Sequence, residues 1–145
     1  MYTGLLHSHS TLAYVVLLFL AFVVIKSILG LTRGSSFSPG DERLSKLALI
    51  FVHIQVVLGL GLYFVSPLVQ GALSDMTATM KDSALRQMAV EHISINIIAA
   101  VLITVGRVKA RKATESKAKY KKLLVFYGLG LVLILSRIPW SAWLD

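Results

Sequence analysis

The chain carries four histidines and no cysteine, and every histidine lies in or at the edge of an apolar run. His7 and His9 fall in the first run, His53 in the second and His92 in the third, whereas the polar connections hold none. Ionisable side chains are costly in hydrocarbon and usually face a bundle interior, a cofactor or a water path. Without thiolates, imidazole is the natural protein ligand for haem iron, and such sites form between facing helices. A single membrane histidine is more often an interhelical hydrogen bond than a ligand, so placement must decide between the two.

Four apolar runs must position these residues. They span about 5–26, 47–66, 88–106 and 123–140, each near the roughly 20 residues a membrane helix requires. The composition agrees, with 56% hydrophobic and only 15% charged residues and a mean hydropathy of +0.75. These values point to one all-α integral membrane domain, a four-transmembrane-helix bundle. Residues 1–25 contain no Lys or Arg, so the first run lacks the charged leader of a signal peptide and reads as a retained span. Thr32–Lys46 reads as a polar connection with a turn at Ser38-Pro39-Gly40-Asp41. Residues 68–86 read as a mixed connection with one short interfacial helix around Met76–Gln87.

The net charge of +8 would suggest nucleic acid in a soluble protein, but here it is confined to two connections. One holds Arg33, Arg43 and Lys46, beside Lys26. The other holds Arg107, Lys109, Arg111, Lys112, Lys117, Lys119, Lys121 and Lys122. The positive-inside rule puts both in the cytoplasm and both termini outside, in the cytoplasmic (inner) membrane. Anionic lipid headgroups account for the rest of the basic surface; no aromatic residues interleave to suggest nucleic acid.

Depth follows from a rise of about 1.5 Å per residue. His7 and His9 lie roughly 3–6 Å below the outer surface, His92 roughly 6 Å and Arg137 roughly 4–5 Å. Two imidazoles at this level, His92 with His7 or His9, suit the axial positions of one haem b, with Arg137 available to a propionate. The sequence does not choose between His7 and His9; the pair adopted as metal ligands is His9 and His92. His53 lies roughly 9 Å from the inner surface and suits a second site or a structural hydrogen bond with Gln55 or Asn96. Glu91 is expected to pair with Arg137, and Asn96 to bond between helices. The pairs Gly59/Gly61 and Gly128/Gly130 are expected to let spans two and four approach closely.

Six segments resemble those of small four-span bacterial membrane proteins labelled cytochrome b-like. They are Gly4-Leu5-Leu6-His7-Ser8-His9-Ser10, His53-Ile54-Gln55, Tyr63-Phe64-Val65-Ser66-Pro67, Ala89-Val90-Glu91-His92, Leu102-Ile103-Thr104-Val105-Gly106 and Ile138-Pro139-Trp140. The resemblance covers nearly the whole chain and implies the four-span topology and haem binding. Related chains carry histidine after the glycine that ends span three, whereas this one has Gly106-Arg107, which puts an inner site with His53 in doubt.

The expected function is therefore a b-type cytochrome passing electrons between a quinol or membrane partner and an acceptor. The alternative is a cofactor-free accessory subunit of a larger respiratory or transport complex. A stand-alone enzyme is disfavoured, because no nucleophile–base constellation, His-Glu-x-x-His motif or phosphate loop is present.

Overall fold

The computed structural model describes residues 1–144, and among them every regular element is helical. The helices are α1 (Tyr2–Arg33), α2 (Pro39–Val65), α3 (Pro67–Ser74), α4 (Met76–Lys81) and α5 (Ser83–Arg86). A π-helical turn, Gln87–Glu91, then leads into α6 (His92–Lys112), followed by α7 (Ser116–Arg137) and α8 (Trp140–Leu144). Three stretches are long and apolar enough to cross a membrane: α1, α2 and the continuous run Ser83–Lys112. In α7 the uncharged stretch is only 123–136, between Lys122 and Arg137, which is shorter than the roughly 20 residues of a full span.

The long helices pack as neighbours in the order α1–α2–α6–α7, with α7 closing against α1. Their shared core runs through Val16, Leu20, Val52, Ile103, Leu123 and Tyr127. Large apolar residues on the opposite faces stay exposed, among them Leu18 and Phe22 of α1, Val57 and Phe64 of α2, Val101 of α6 and Val132 of α7. An exterior of this kind has no stable place in water and suits hydrocarbon.

Local chemistry explains where the helices stop and start. α1 ends at Gly34, whose φ of 62° lies in the left-handed region that glycine enters without penalty. The expected turn at Ser38–Asp41 is the start of α2. The Ser38 hydroxyl accepts from the Asp41 N–H at 3.2 Å while Asp41 Oδ2 accepts from the Ser38 N–H at 3.0 Å. This capping box, with Pro39 at the first helical position, extends the helix well ahead of its apolar run. The single interfacial helix expected over Met76–Gln87 is instead part of a chain of short helices. Ser66, Asp75 and Asp82 each cap one of them through a side-chain oxygen.

The end of the bundle where α1 turns into α2 is tied by buried polar groups. Asp41 Oδ2 accepts from the Tyr120 hydroxyl of α7 at 2.7 Å, and Asp41 Oδ1 lies 3.4 Å from Lys26 Nζ of α1. Tyr120 reaches this position because its ring lies over Gly30, where a Cβ would come within 2.5 Å of it. Arg107 of α6, only 5% exposed, pairs with Glu42 of α2. The Tyr127 hydroxyl donates to the Ser45 carbonyl at 2.7 Å. Glycine does not bring α2 and α7 together: Gly130 faces Ile103 of α6, and Gly61 and Gly128 meet open space.

Burial pushes the Asp41 carboxyl up, but the Ser38 N–H, the Tyr120 and Ser38 hydroxyls and Lys26 outweigh it and hold it below its ordinary 3.8. Burial, then the hydrogen bond and charge of Asp41, push the Tyr120 phenol from 10.0 up to about 12. The contribution of Asp41 is thus present above 3.8 and lost as pH falls through its depressed value; that of Tyr120 is present below 10.0 and lost as pH rises through about 12. The contribution of this pair to thermal stability in detergent is expected to stay constant between these limits and to fall on either side. The alkaline fall should be smaller in Tyr120→Phe, and identical alkaline curves for the two proteins would show that the phenol does not contribute.

Candidate functional site

At the opposite end of the bundle the core opens into a cavity of about 240 Å³. It is walled by α1, α2, α3, α6, the end of α7 and α8, and His9 and His92 are the two histidines in its lining. Their ring centres are 6.2 Å apart with the planes at 73°. Two imidazoles sharing one metal at about 2 Å per bond place their ring centres roughly 6 Å apart. The separation is one at which two imidazoles could share a single metal.

His92 is held on its far side. Its Nδ1 lies 2.9 Å from the Arg137 carbonyl. A carbonyl only accepts, so Nδ1 is the nitrogen bearing hydrogen and Nε2 keeps its lone pair. That carbonyl is free because α7 stops at Arg137, before Pro139, leaving the last-turn acceptors without helical partners. The π turn ends immediately before His92, with the His92 N–H reaching back to the Gln87 carbonyl. Within the turn, the Ala89 carbonyl accepts from the Tyr63 hydroxyl at 3.0 Å. Such turns widen a helix locally and recur at functional sites. Asn96 does not bond between helices as expected; its amide donates to the His92 carbonyl within α6 at 2.6 Å.

His9 is held differently. Gln55 Nε2 donates to the His9 backbone carbonyl at 2.9 Å, fixing α1 against α2 at this level. The imidazole Nδ1 is buried and makes no hydrogen bond of full geometry among the described residues, although the Gln55 main-chain carbonyl lies near the ring. Gly59 makes room for the ring, since a Cβ there would come within 3.1 Å of His9 Cε1.

The other expected residues lie elsewhere. His7 is exposed and outside the cavity lining. His53 is exposed, and its Nε2 lies 2.9 Å from the Thr104 hydroxyl of α6, so its partner is neither Gln55 nor Asn96. The position after Gly106 is taken up by the Arg107–Glu42 pair. Arg137 pairs with Glu91 at 3.3 Å, and Arg86 meets the same carboxylate at 2.9 Å. Among the described residues, no Lys, Arg, Asp or Glu is part of the cavity lining, although Arg137 touches the site through its main chain. Two guanidiniums thus share one carboxylate beside the histidines. No group of three or more His, Cys, Asp or Glu capable of holding a metal occurs among the described residues.

No family model, curated protein or solved structure matches the chain. The chemistry open to the site is set by its own geometry: two imidazoles facing a mainly apolar cavity whose described lining carries no Lys, Arg, Asp or Glu.

Sequence reasoning missed the π turn and gave Gln55 and Gly59 other roles. The Gly59/Gly61 pair was the one visible signal of a close approach on α2, and it is the His9 ring that approaches Gly59. The His53–Thr104 bond is expected to contribute about 0.6 kcal/mol. His53→Ala and Thr104→Val should each lower stability by this order, and the double variant should add little, as read by unfolding in detergent. Fully additive losses would show that the two side chains act independently.

Proposed function

We propose that the chain is a membrane b-type cytochrome that holds one haem b between His9 and His92 and takes part in electron transfer. The observation that carries this reading is the pair of imidazoles from α1 and α6, 6.2 Å apart in one cavity. When bound, the haem supplies a one-electron ferric/ferrous couple. The chain's own residues do the rest. His92 presents Nε2 while its Nδ1–H is held by the Arg137 carbonyl, which fixes the ring and strengthens it as a donor. His9 offers the opposing imidazole. The apolar lining excludes water, and Trp143 of α8, stacked on Tyr14 at 4.3 Å, covers one side. The excess cation among Arg86, Arg137 and Glu91 favours propionates directed to the rim. The electron partners in this reading are a quinol or membrane protein on one side and an acceptor on the other.

In this reading α7 completes a four-span bundle in the inner membrane, with the histidine end and both termini outside. The support is the concentration of Lys and Arg at the opposite end. Because the chain has no cysteine, single cysteines report topology cleanly. Cysteine at Thr3 or Ser141 should react with an impermeant maleimide in intact cells, and cysteine at Ser116 only after permeabilisation. Labelling of Ser116 and Thr3 from the same side would overturn the topology.

The central test is the absorption spectrum of detergent-purified protein, oxidised and dithionite-reduced, with a pyridine haemochrome count. A sharp reduced α-band of b type is expected at about one haem per chain, reduced about tenfold or more in His92→Ala. A featureless visible spectrum from cells supplied with haem would remove the reading. A second reading is then a cofactor-free accessory subunit of a larger membrane complex. It is favoured by the two histidine bonds between helices, His53–Thr104 and His92–Arg137.

A further inference from the structure

We propose that the two histidines are unequal ligands: His92 is the fixed one, and His9 is released from ferrous iron in favour of a small neutral diatomic molecule. This deepens the haem reading and rests on it.

The inequality lies in the opposite edges of the two rings. His92 Nδ1 has an acceptor at 2.9 Å on the end of α7, so binding through Nε2 costs its other nitrogen nothing. His9 has only a weaker one: the Gln55 main-chain carbonyl lies near its ring without the geometry of a full hydrogen bond to Nδ1. Binding iron through Nε2 requires a hydrogen on Nδ1, and that nitrogen is buried without a hydrogen bond of full geometry. A buried donor left poorly paired opposes the arrangement that creates it. The Gln55 side chain does not relieve this, because its Nε2 is spent on the His9 main-chain carbonyl and its Oε1 forms no hydrogen bond. Gln55 therefore holds the helix in place while supporting the ring only through a poorly aligned main-chain carbonyl.

The ring also has somewhere to go. On one side the ring packs against Gly59, and on the other it borders the open volume of the cavity. Among the described residues no Lys, Arg, Asp or Glu lines the cavity, which sets the chemistry of the incoming ligand, since an anion would be desolvated there without a counter-charge. A neutral diatomic meets no such penalty. In the exchange one nitrogen-to-iron bond breaks and one bond from the diatomic to iron forms. Iron stays ferrous, no proton or electron is consumed, and His9 regains a free Nε2.

Carbon monoxide is the probe, added in steps to the dithionite-reduced, haem-loaded protein in detergent. A saturable shift of the Soret band is expected in the native protein. His9→Ala should retain haem, become five-coordinate and bind carbon monoxide about tenfold or more tightly, whereas His92→Ala should lose about tenfold or more of its haem. Free imidazole should return His9→Ala to a six-coordinate spectrum, which shows that the variant is folded. The proposal is overturned if saturating carbon monoxide leaves the reduced native spectrum unchanged while His9→Ala responds. It is equally overturned if both variants lose haem alike. A native protein with no haem band would remove the haem reading itself, and this inference with it.

Discussion

The buried Asp41 carboxylate is the point on which the arrangement of the helices turns. Apolar helices in lipid gain little from burying apolar surface against one another, so packing and polar contacts must set their register. Asp41 sits in the first turn of α2, where the helix dipole favours an anion. It accepts from its own cap, from Tyr120 of α7, and faces Lys26 of α1. The neighbouring Glu42 recruits α6 through Arg107. Four helices are thereby referred to one level. A buried charge is tolerable only when it is compensated: donors from Ser38 and Tyr120 converge on Asp41 Oδ2, while Oδ1, which has no hydrogen bond, faces the Lys26 ammonium.

Register set at one end determines what meets at the other. Helix of about 25 Å separates Lys26 from His9, and about 22 Å separates Arg107 from His92. Two rods of nearly equal length rising from one clamp bring their histidines to nearly equal height. Nothing at the histidine end needs to enforce that level, and the contacts there are correspondingly different in kind. Gln55 and Tyr63 touch main-chain carbonyls at 2.9 and 3.0 Å, fixing backbones while leaving space between them. A tight polar clamp below and an open cavity above are one design, because the first makes the second affordable in packing terms.

The sequence made the level of the histidines legible but not their direction. Depth depends on counting residues along a helix, which tolerates small boundary errors. Facing depends on azimuth, and two residues of separation turn a side chain through about 200°, so His7 and His9 point to opposite sides of α1. The buried positions Val16, Leu20, Val23, Ser27 and Gly30 continue backwards at alternating steps of three and four to Ala13 and His9. That stripe is hard to see in the sequence because α1 is apolar all round, and only Ser27 and Gly30 mark it. The extended start of α2 was misread for the opposite reason: Ser38, Pro39 and Asp41 are turn residues and helix-capping residues alike. The π turn over Gln87–Glu91 leaves no compositional trace, having neither a glycine nor a proline.

Arg137 shows how residue chemistry and residue position can contribute separately. The guanidinium is the obvious feature of a cation near two histidines, yet it turns to Glu91, while the carbonyl of the same residue meets His92. That carbonyl is available only because Ile138-Pro139 ends α7 at this level; one more turn of helix would have consumed it. The helix terminus also carries partial negative charge, which strengthens the pull on the His92 Nδ1–H and enriches the electron density at Nε2. The break between α7 and α8 therefore orients and tunes the imidazole that faces the cavity, and the proline that makes the break acts on the site without touching it through any polar atom.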